Sequence, residues 1–114
     1  MKKTILIISS ILLLASCSSR KELYSWEKYE ITSYNYLKNT DEASMAALVE
    51  NYEKIIAKQD GTRGIVPPGI YADYGYLLLQ KGETAKGTEM LKQEIALYPE
   101  SKIFIDRILK MTEE

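Results

Sequence analysis

The segment from residue 71 to residue 99 decides the fold, and it reads YADYGYLLLQKGETAKGTEMLKQEIALYP. One apolar helical stripe begins at Ile70, just before this segment, and continues with Tyr74, Leu77 and Leu78. A second stripe follows, at Gly87, Leu91, Ile95 and Tyr98. Gly82 ends the first pattern, Thr84 begins the second and Pro99 ends it. Because Gly75 and Gly87 carry no side chain, the segment predicts two helices that cross at close range.

The same segment resembles the tetratricopeptide pattern, W-x2-L-G-x2-Y, then A-x3-F, then P. The matching positions are Tyr71-x2-Tyr74-Gly75-x2-Leu78, then Gly87-x3-Leu91, then Pro99. In this interpretation Tyr71, Tyr74, Leu78 and Leu91 fill the space around the helix crossing. Glu94 stands where that pattern prefers a small residue, which weakens the expected packing against a following helix. The alternative is an ordinary helical hairpin that matches by chance.

Two further helices are predicted upstream of this hairpin. Leu23 to Leu37 is rich in aromatic residues, which would also suit a strand, but its apolar residues share one helical stripe. Thr40 or Asp41 then caps a helix that runs to about Gln59 and stops at Gly61. Its apolar residues recur at spacings of three and four, at Met45, Leu48, Val49, Tyr52, Ile55 and Ile56.

The remaining signals complete an all-α architecture. Pro67-Pro68-Gly69 suits the start of the helix that carries Tyr74. Ser101 can cap a last helix whose wide apolar face holds Phe104, Ile105, Ile108, Leu109 and Met111. We therefore expect about five helices, arranged as tetratricopeptide-like helical hairpins with a C-terminal capping helix. Trp26 and Tyr29 would open a degenerate first hairpin.

The N-terminal segment is typical of a secreted precursor. Lys2 and Lys3 precede an apolar run from residue 5 to residue 14, which is far shorter than the ~20 residues that a membrane-spanning helix needs. Leu14-Ala15-Ser16-Cys17 resembles the lipobox of bacterial lipoproteins, which implies cleavage before Cys17 and its modification with acyl chains such as palmitate. An ordinary signal peptide that ends near a cysteine is the alternative. The expected division is a signal peptide at 1–16, a lipidated N-terminus and tether at 17–22, and the helical domain at 23–114.

Two motifs resemble a family of small bacterial lipoproteins known as domain of unknown function 4810. They are LYSWEKYE at residues 23–30 and RGIVPPGIYADYGYLL at residues 63–78. Glu27 stands where we expect a glycine in that family, and Gly87 where we expect an alanine. Members are often encoded beside a lipoprotein that resembles the curli secretion channel subunit, which implies an envelope complex and names no activity.

Composition excludes several kinds of chemistry. The chain has 15 basic and 16 acidic residues, and removal of Lys2 and Lys3 with the signal segment leaves 13 basic residues and a formal charge of −3. The mature chain therefore has no basic surplus that would favour nucleic-acid binding. The chain has no histidine, and its one cysteine is assigned to lipid. Glu27 and Glu30 would share a helical turn, but a solvated helix face explains them better than paired catalytic carboxylates. Ser44 and Lys54 lack the spacing of a hydrolytic dyad. We expect no enzyme, no cofactor and no metal.

Nine tyrosines against one phenylalanine is an unusual balance. Tyrosine buries area while it keeps a polar tip in water, which suits interfaces. Hairpin packing accounts for Tyr71 and Tyr74. The tyrosines that fall off the main stripes are candidates for a partner surface, although partial burial in the core is the alternative: Tyr24, Tyr34, Tyr36 and Tyr76.

These features favour a non-catalytic accessory lipoprotein of the bacterial envelope. It would bind another envelope or secretion-complex protein, and the resemblance suggests a curli-secretion-channel-like lipoprotein. A small-molecule or glycan binder that uses the aromatic cluster is the alternative, and a hydrolase is less favoured. Ser18 after the lipidated cysteine suggests the outer membrane, since aspartate at that position retains many Gram-negative lipoproteins in the inner one.

Overall fold

A computed structural model describes residues 1–14 and 19–114, so the predicted lipidation site Cys17 and the sorting residue Ser18 lie outside the described residues. The protein is 72% helical with no strand in the described part, which confirms the all-α prediction. A 3-10 turn covers Pro99–Ser101. The helices are α1 (Lys2–Leu14), α2 (Tyr29–Asn39), α3 (Glu42–Ala57), α4 (Ile70–Gln80), α5 (Thr84–Leu97) and α6 (Lys102–Glu113).

The first of these, α1, lies within the predicted signal segment, and the other five make up the domain. Among the described helices, none combines the length and the apolar character that crossing a membrane requires. The described side chains of α1 are exposed.

The helix predicted to begin at Leu23 begins only at Tyr29. Long-range contacts hold residues 22–28 in an irregular path: Thr62 N–H donates to the Glu22 carbonyl and Lys28 N–H donates to Asn51 Oδ1. Glu27 has a positive φ of 47°, which a right-handed helix excludes and which glycine adopts most easily. The family's expected glycine at this position therefore has a conformational reason. Trp26 precedes the helix and cannot take the helical position proposed for it.

The start of α3 is fixed by local sequence. Ser44 N–H donates to Asp41 Oδ1 at 2.8 Å, and Asp41 N–H donates to the Ser44 hydroxyl at 3.4 Å. This reciprocal capping box shows that Asp41, rather than Thr40, is the cap. Thr40 instead takes a left-handed conformation that ends α2.

Close contact between α4 and α5 is confirmed at the two glycines. A Cβ atom built on Gly75 would lie 2.8 Å from the Gly87 carbonyl oxygen and 2.9 Å from Leu91 Cγ. One built on Gly87 would lie 2.8 Å from the Gly75 carbonyl oxygen. Neither position has room for a side chain, so an alanine at position 87 would force its neighbours to move.

The core has two parts. The larger joins α3 and α4 with Val66 of the intervening loop, and its buried residues are Leu48, Tyr52, Ile55, Val66, Ile70, Tyr74, Leu77 and Leu78. The smaller attaches α6, because Ile105 packs fully buried against Ala72 and Leu91. Only part of the apolar face predicted for α6 is covered, since Phe104 and Met111 remain exposed. Ser101 does not cap α6 with its side chain, because its hydroxyl donates to the Tyr98 carbonyl.

Glu94 of α5 is buried, with only 3% of its surface exposed. Its carboxylate accepts hydrogen bonds from Gly69 N–H at 2.8 Å and from Ala72 N–H at 3.3 Å. These donors lie in the first turn of α4, where Gly69 has no side chain with which to cap the helix. Burial raises the pKa of Glu94, and the hydrogen bonds from the backbone oppose that shift. The residue that departs from the tetratricopeptide pattern thus caps the neighbouring helix.

Candidate interaction surface around Tyr76

A groove of about 380 Å³ lies where α2, α3 and α4 meet. Two of the tyrosines predicted for a partner surface line it together, Tyr36 from α2 and Tyr76 from α4. The other lining residues are Leu37, Thr40, Leu48, Tyr52, Asp73, Leu77 and Gln80. Because α3 contributes Leu48 and Tyr52, the groove depends on the packing of all three helices.

A second groove, of about 260 Å³, lies between α4 and α6. Its lining residues are Ala72, Asp73, Tyr76, Phe104, Ile108 and Met111. Asp73 and Tyr76 belong to both grooves, so the two are adjacent along one side of the domain. We call this side the Tyr76 face and define it by Tyr36, Leu37, Tyr76, Phe104 and Met111.

Apolar side chains of the Tyr76 face are exposed. Leu37 is 78% exposed, Phe104 62% and Tyr76 45%. Isolated exposed apolar residues are normal, but a contiguous set contributed by three helices marks interaction sites.

Tyr52, which lines the first groove, belongs to a row of three neighbouring tyrosine rings. The ring centroids of Tyr29 and Tyr52 are 6.0 Å apart, and those of Tyr52 and Tyr74 are 5.3 Å apart. The Tyr29 hydroxyl donates to Asp73 Oδ2 at 2.5 Å and so ties α2 to α4. Burial, followed by this carboxylate, raises the pKa of Tyr29 to about 12, and burial also raises the pKa of Tyr52. Both phenols are therefore neutral near pH 7, and the Tyr29 hydroxyl acts as a hydrogen-bond donor.

A polar cluster surrounds the hydroxyl of Tyr74, the last ring of this row. The Tyr74 hydroxyl donates to Glu53 Oε1 at 2.8 Å, and the Lys86 ammonium donates to the Tyr74 oxygen at 2.9 Å. The pKa of Tyr74 is raised chiefly by burial, and that of Lys86 is raised chiefly by its hydrogen bond to Tyr74. This cluster joins α3, α4 and α5 and leaves the phenol protonated at neutral pH.

The other two candidate tyrosines lie elsewhere. Tyr34 lines a shallow groove with Ile31 and neighbouring charged residues, and the Lys38 ammonium is 6.0 Å from its ring centroid. Tyr24 is half-buried, and the Arg63 guanidinium lies 5.9 Å from its ring centroid. The structure therefore places Tyr36 and Tyr76 together and separates Tyr24 and Tyr34 from them.

The candidates for catalysis are also dispersed. Glu27 lies before α2, so it does not share a helical turn with Glu30, and its carboxylate accepts a hydrogen bond from the Ser25 hydroxyl. Ser44 closes the capping box of α3, while Lys54 pairs with Glu50 at 2.7 Å. Across residues 1–14 and 19–114, no group of three or more histidine, cysteine, aspartate or glutamate side chains is placed to hold a metal ion.

Phe104 and Met111 join Tyr76 although the sequence assigned them to packing. The signal was the width of the apolar face of α6. Ile105, Ile108 and Leu109 pack on the domain. Phe104 and Met111 share an i, i+4, i+7 spacing with Ile108 and form the exposed edge of the apolar face. An amphipathic pattern gives the width of a face, but it does not say how much of that face the fold covers.

Comparisons with known protein families give matches to both the N-terminal segment and the helical domain. Residues 1–18 match the prokaryotic membrane lipoprotein lipid attachment site, which makes the chain a membrane-anchored lipoprotein. Neither the curated proteins nor the solved structures contain a match to it. Residues 23–108, nearly the whole domain, match a family described as a domain of unknown function, DUF4810. The protein is therefore a lipoprotein that belongs to the DUF4810 family.

Proposed function

We propose that this protein is a non-catalytic accessory lipoprotein that binds another envelope or secretion-complex protein through its Tyr76 face. The observation that carries the proposal is the exposed apolar surface on three helices, centred on the ring of Tyr76. Proteins built from stacked helical repeats bind partners on extended surfaces that successive units share. Helices α2, α4 and α6 contribute side chains to the surface proposed here.

The shape of the surface favours a protein segment over a small molecule. Pockets for small ligands are usually concave and bury most of the ligand's surface. The two grooves have volumes of about 380 and 260 Å³ and continue into one another at Tyr76. An elongated, shallow surface of this kind suits a helix or an extended segment with apolar side chains at intervals.

Asp73 gives the surface a polar anchor. Its carboxylate accepts from Tyr29 and lines both grooves, so it offers further acceptor capacity at the centre of the face. We propose that the partner places a lysine, an arginine or an amide donor opposite Asp73, with apolar groups on either side.

The chemistry of the tyrosines supports a binding role. A phenol used as a nucleophile or base needs a lowered pKa, whereas the pKa values of Tyr29, Tyr52 and Tyr74 are raised by burial. These groups hold helices together. An enzymatic role would require another set of residues.

Family context suggests the partner and the membrane. A lipoprotein resembling the curli secretion channel subunit is the first candidate, because members of this family are often encoded beside one. Serine at position 18, next to the lipidated cysteine, favours the outer membrane.

Co-purification from membranes tests the binding role. The wild-type lipoprotein should retain one envelope protein in fixed proportion, and Tyr76→Ala should lose it, since an aromatic anchor worth ~2 kcal/mol corresponds to about a 30-fold change in affinity. Tyr34→Ala is the matched control, because it removes an exposed tyrosine from a different groove and should retain the partner. Equal retention by both variants would remove the Tyr76 face from consideration. A bound glycan or small molecule in place of a protein would support the alternative function.

A further inference from the structure

The chain joins the domain at a fixed point beside Gly61. A Cβ atom at Gly61 would lie 2.4 Å from the Leu23 carbonyl oxygen and 2.5 Å from Tyr24 Cα, so only glycine allows the two segments to pass. Thr62 N–H donates to the Glu22 carbonyl at 3.0 Å, and Arg63 N–H donates to the Leu23 carbonyl at 3.1 Å. Two backbone hydrogen bonds therefore hold the start of the domain at Glu22.

The distance from this point to the lipid is short. Glu22 follows Cys17 by five residues, and a fully extended chain spans at most about 3.6 Å per residue, or about 18 Å here. The headgroup region of a bilayer occupies several ångströms on each side of the hydrocarbon. A domain tied at Glu22 therefore stays within reach of the headgroups.

The domain exposes apolar and aromatic side chains at this same end. Leu23 is 56% exposed and Trp26 39%, and Ile65 is exposed in the facing loop. The Trp26 ring lies against Tyr24, with centroids 6.3 Å apart, and Tyr24 in turn lies beside the Arg63 guanidinium. Tryptophan, tyrosine and arginine with apolar neighbours are the residues that settle at a membrane–water interface.

Charge at this end also suits a bilayer of anionic lipids. Over residues 20–30 the three basic side chains balance the three carboxylates of Glu22, Glu27 and Glu30, and Lys58 forms an ion pair with Asp60 at 3.5 Å, so Arg63 leaves this end with a surplus of one positive charge. The mature chain as a whole carries a formal charge of −3, because 13 basic residues face 16 acidic ones. The local basic surplus is therefore a property of the tethered end, and it complements anionic headgroups.

We infer that this end of the domain, formed by Leu23, Trp26 and Ile65 with Arg20, Lys21 and Arg63, rests on the surface of the bilayer that holds the lipid anchor. The lipid anchor limits the distance between the domain and the bilayer, and the apolar and basic side chains determine which end of the domain faces the bilayer. This inference depends on the lipid attachment site and is independent of the function proposed for the Tyr76 face.

Trp26 is the only tryptophan, so its fluorescence reports directly on this contact. The lipidated protein would be reconstituted into vesicles of phosphatidylethanolamine and phosphatidylglycerol, with and without brominated acyl chains. We expect brominated lipid to quench most of the Trp26 emission and the vesicles to shield Trp26 from iodide. Trp26 emission that brominated lipid leaves unchanged and iodide quenches freely would overturn the inference.

A second variant controls for nonspecific proximity. Trp26→Phe combined with Ala85→Trp moves the reporter to an exposed position at the start of α5. Position 85 lies twelve residues before Leu97, about 18 Å along the helix, and the next residue, Tyr98, donates to the Val66 carbonyl beside Ile65. We expect much weaker quenching at position 85. Equal quenching at both positions would mean that the domain has no preferred orientation, and the inference would fail.

Discussion

Replacing Glu94 with alanine tests whether one buried carboxylate supports the start of α4. In the wild type, this carboxylate accepts from Gly69 N–H at 2.8 Å and from Ala72 N–H at 3.3 Å. Glu94→Ala leaves both donors without their acceptor. Gly69 is partly exposed, so water can replace some of what it loses, whereas Ala72 is buried.

The magnitude follows from these burials. Ala72 N–H is the buried donor, and leaving it without a partner costs about 1–3 kcal/mol, toward the lower end because its hydrogen bond of 3.3 Å is long. Gly69 N–H adds less, because water can reach it. Removing a buried carboxylate recovers part of the desolvation cost that raises its pKa. We expect a net loss of about 2–3 kcal/mol in the free energy of unfolding, which lowers Tm by roughly 10–20 °C for a domain of this size.

The assay is thermal and urea denaturation of the lipidated protein in detergent, followed by far-ultraviolet circular dichroism. Glu94→Gln keeps one carbonyl oxygen of the same reach and should lie between wild type and Glu94→Ala. Glu89→Ala removes an exposed glutamate from the same helix and should change stability by less than about 0.5 kcal/mol. If Glu94→Ala had the same Tm as Glu89→Ala, the hydrogen bonds from the first turn of α4 to Glu94 would not contribute to stability.

The same variant has a pH signature. Burial raises the pKa of Glu94 above its ordinary value of 4.5, so the folded state holds this proton more tightly than the unfolded state does. The stability gained from that proton is complete below pH 4.5 and is lost as pH rises through the folded-state pKa. The difference in Tm between wild type and Glu94→Ala should therefore be larger in mildly acidic buffer than in neutral buffer. A difference that grows with pH would contradict the direction of the shift.

Three further predictions concern packing, titration and anchoring. Gly75→Leu should lower Tm markedly, because even a Cβ atom would lie 2.8 Å from the Gly87 carbonyl and overpacking costs ~1–3 kcal/mol; an unchanged midpoint would contradict the observed crossing. Burial raises the pKa of Tyr29 to about 12, so the contribution of Tyr29 to stability should be intact below pH 10 and lost toward pH 12. An ultraviolet titration should show one late-ionising phenol fewer in Tyr29→Phe than in the wild type, and an unchanged number would count against the shift. Cys17→Ser should release the protein from membranes without unfolding the domain, as fractionation and circular dichroism would show; a mutant that stayed in the membrane fraction would refute lipid anchoring at Cys17.

Short-range sequence patterns were enough to define most helix ends and the closest helix contact. Asp41 caps α3 through a residue only three positions away, and Thr84 and Pro99 mark where the hairpin helix starts and stops. The contact between Gly75 and Gly87 was also predictable, because two residues without side chains at matching positions leave space that only a backbone can fill. Each of these signals acts within a few residues or repeats a known helical pattern.

Tertiary structure alone decided which segments and faces depart from those patterns. The segment before Tyr29 is helical by periodicity, yet the N–H groups of Thr62 and Arg63 donate to its carbonyls and hold it in an irregular path. These two hydrogen bonds and the tight contact at Gly61 outweigh a weak helical preference. Burial of Glu94 depends on the first turn of a different helix, which lacks a cap of its own. Exposure of Phe104 depends on how far α6 overlaps α4, because an amphipathic sequence sets which residues are apolar, and only the packed neighbour determines which of them are covered.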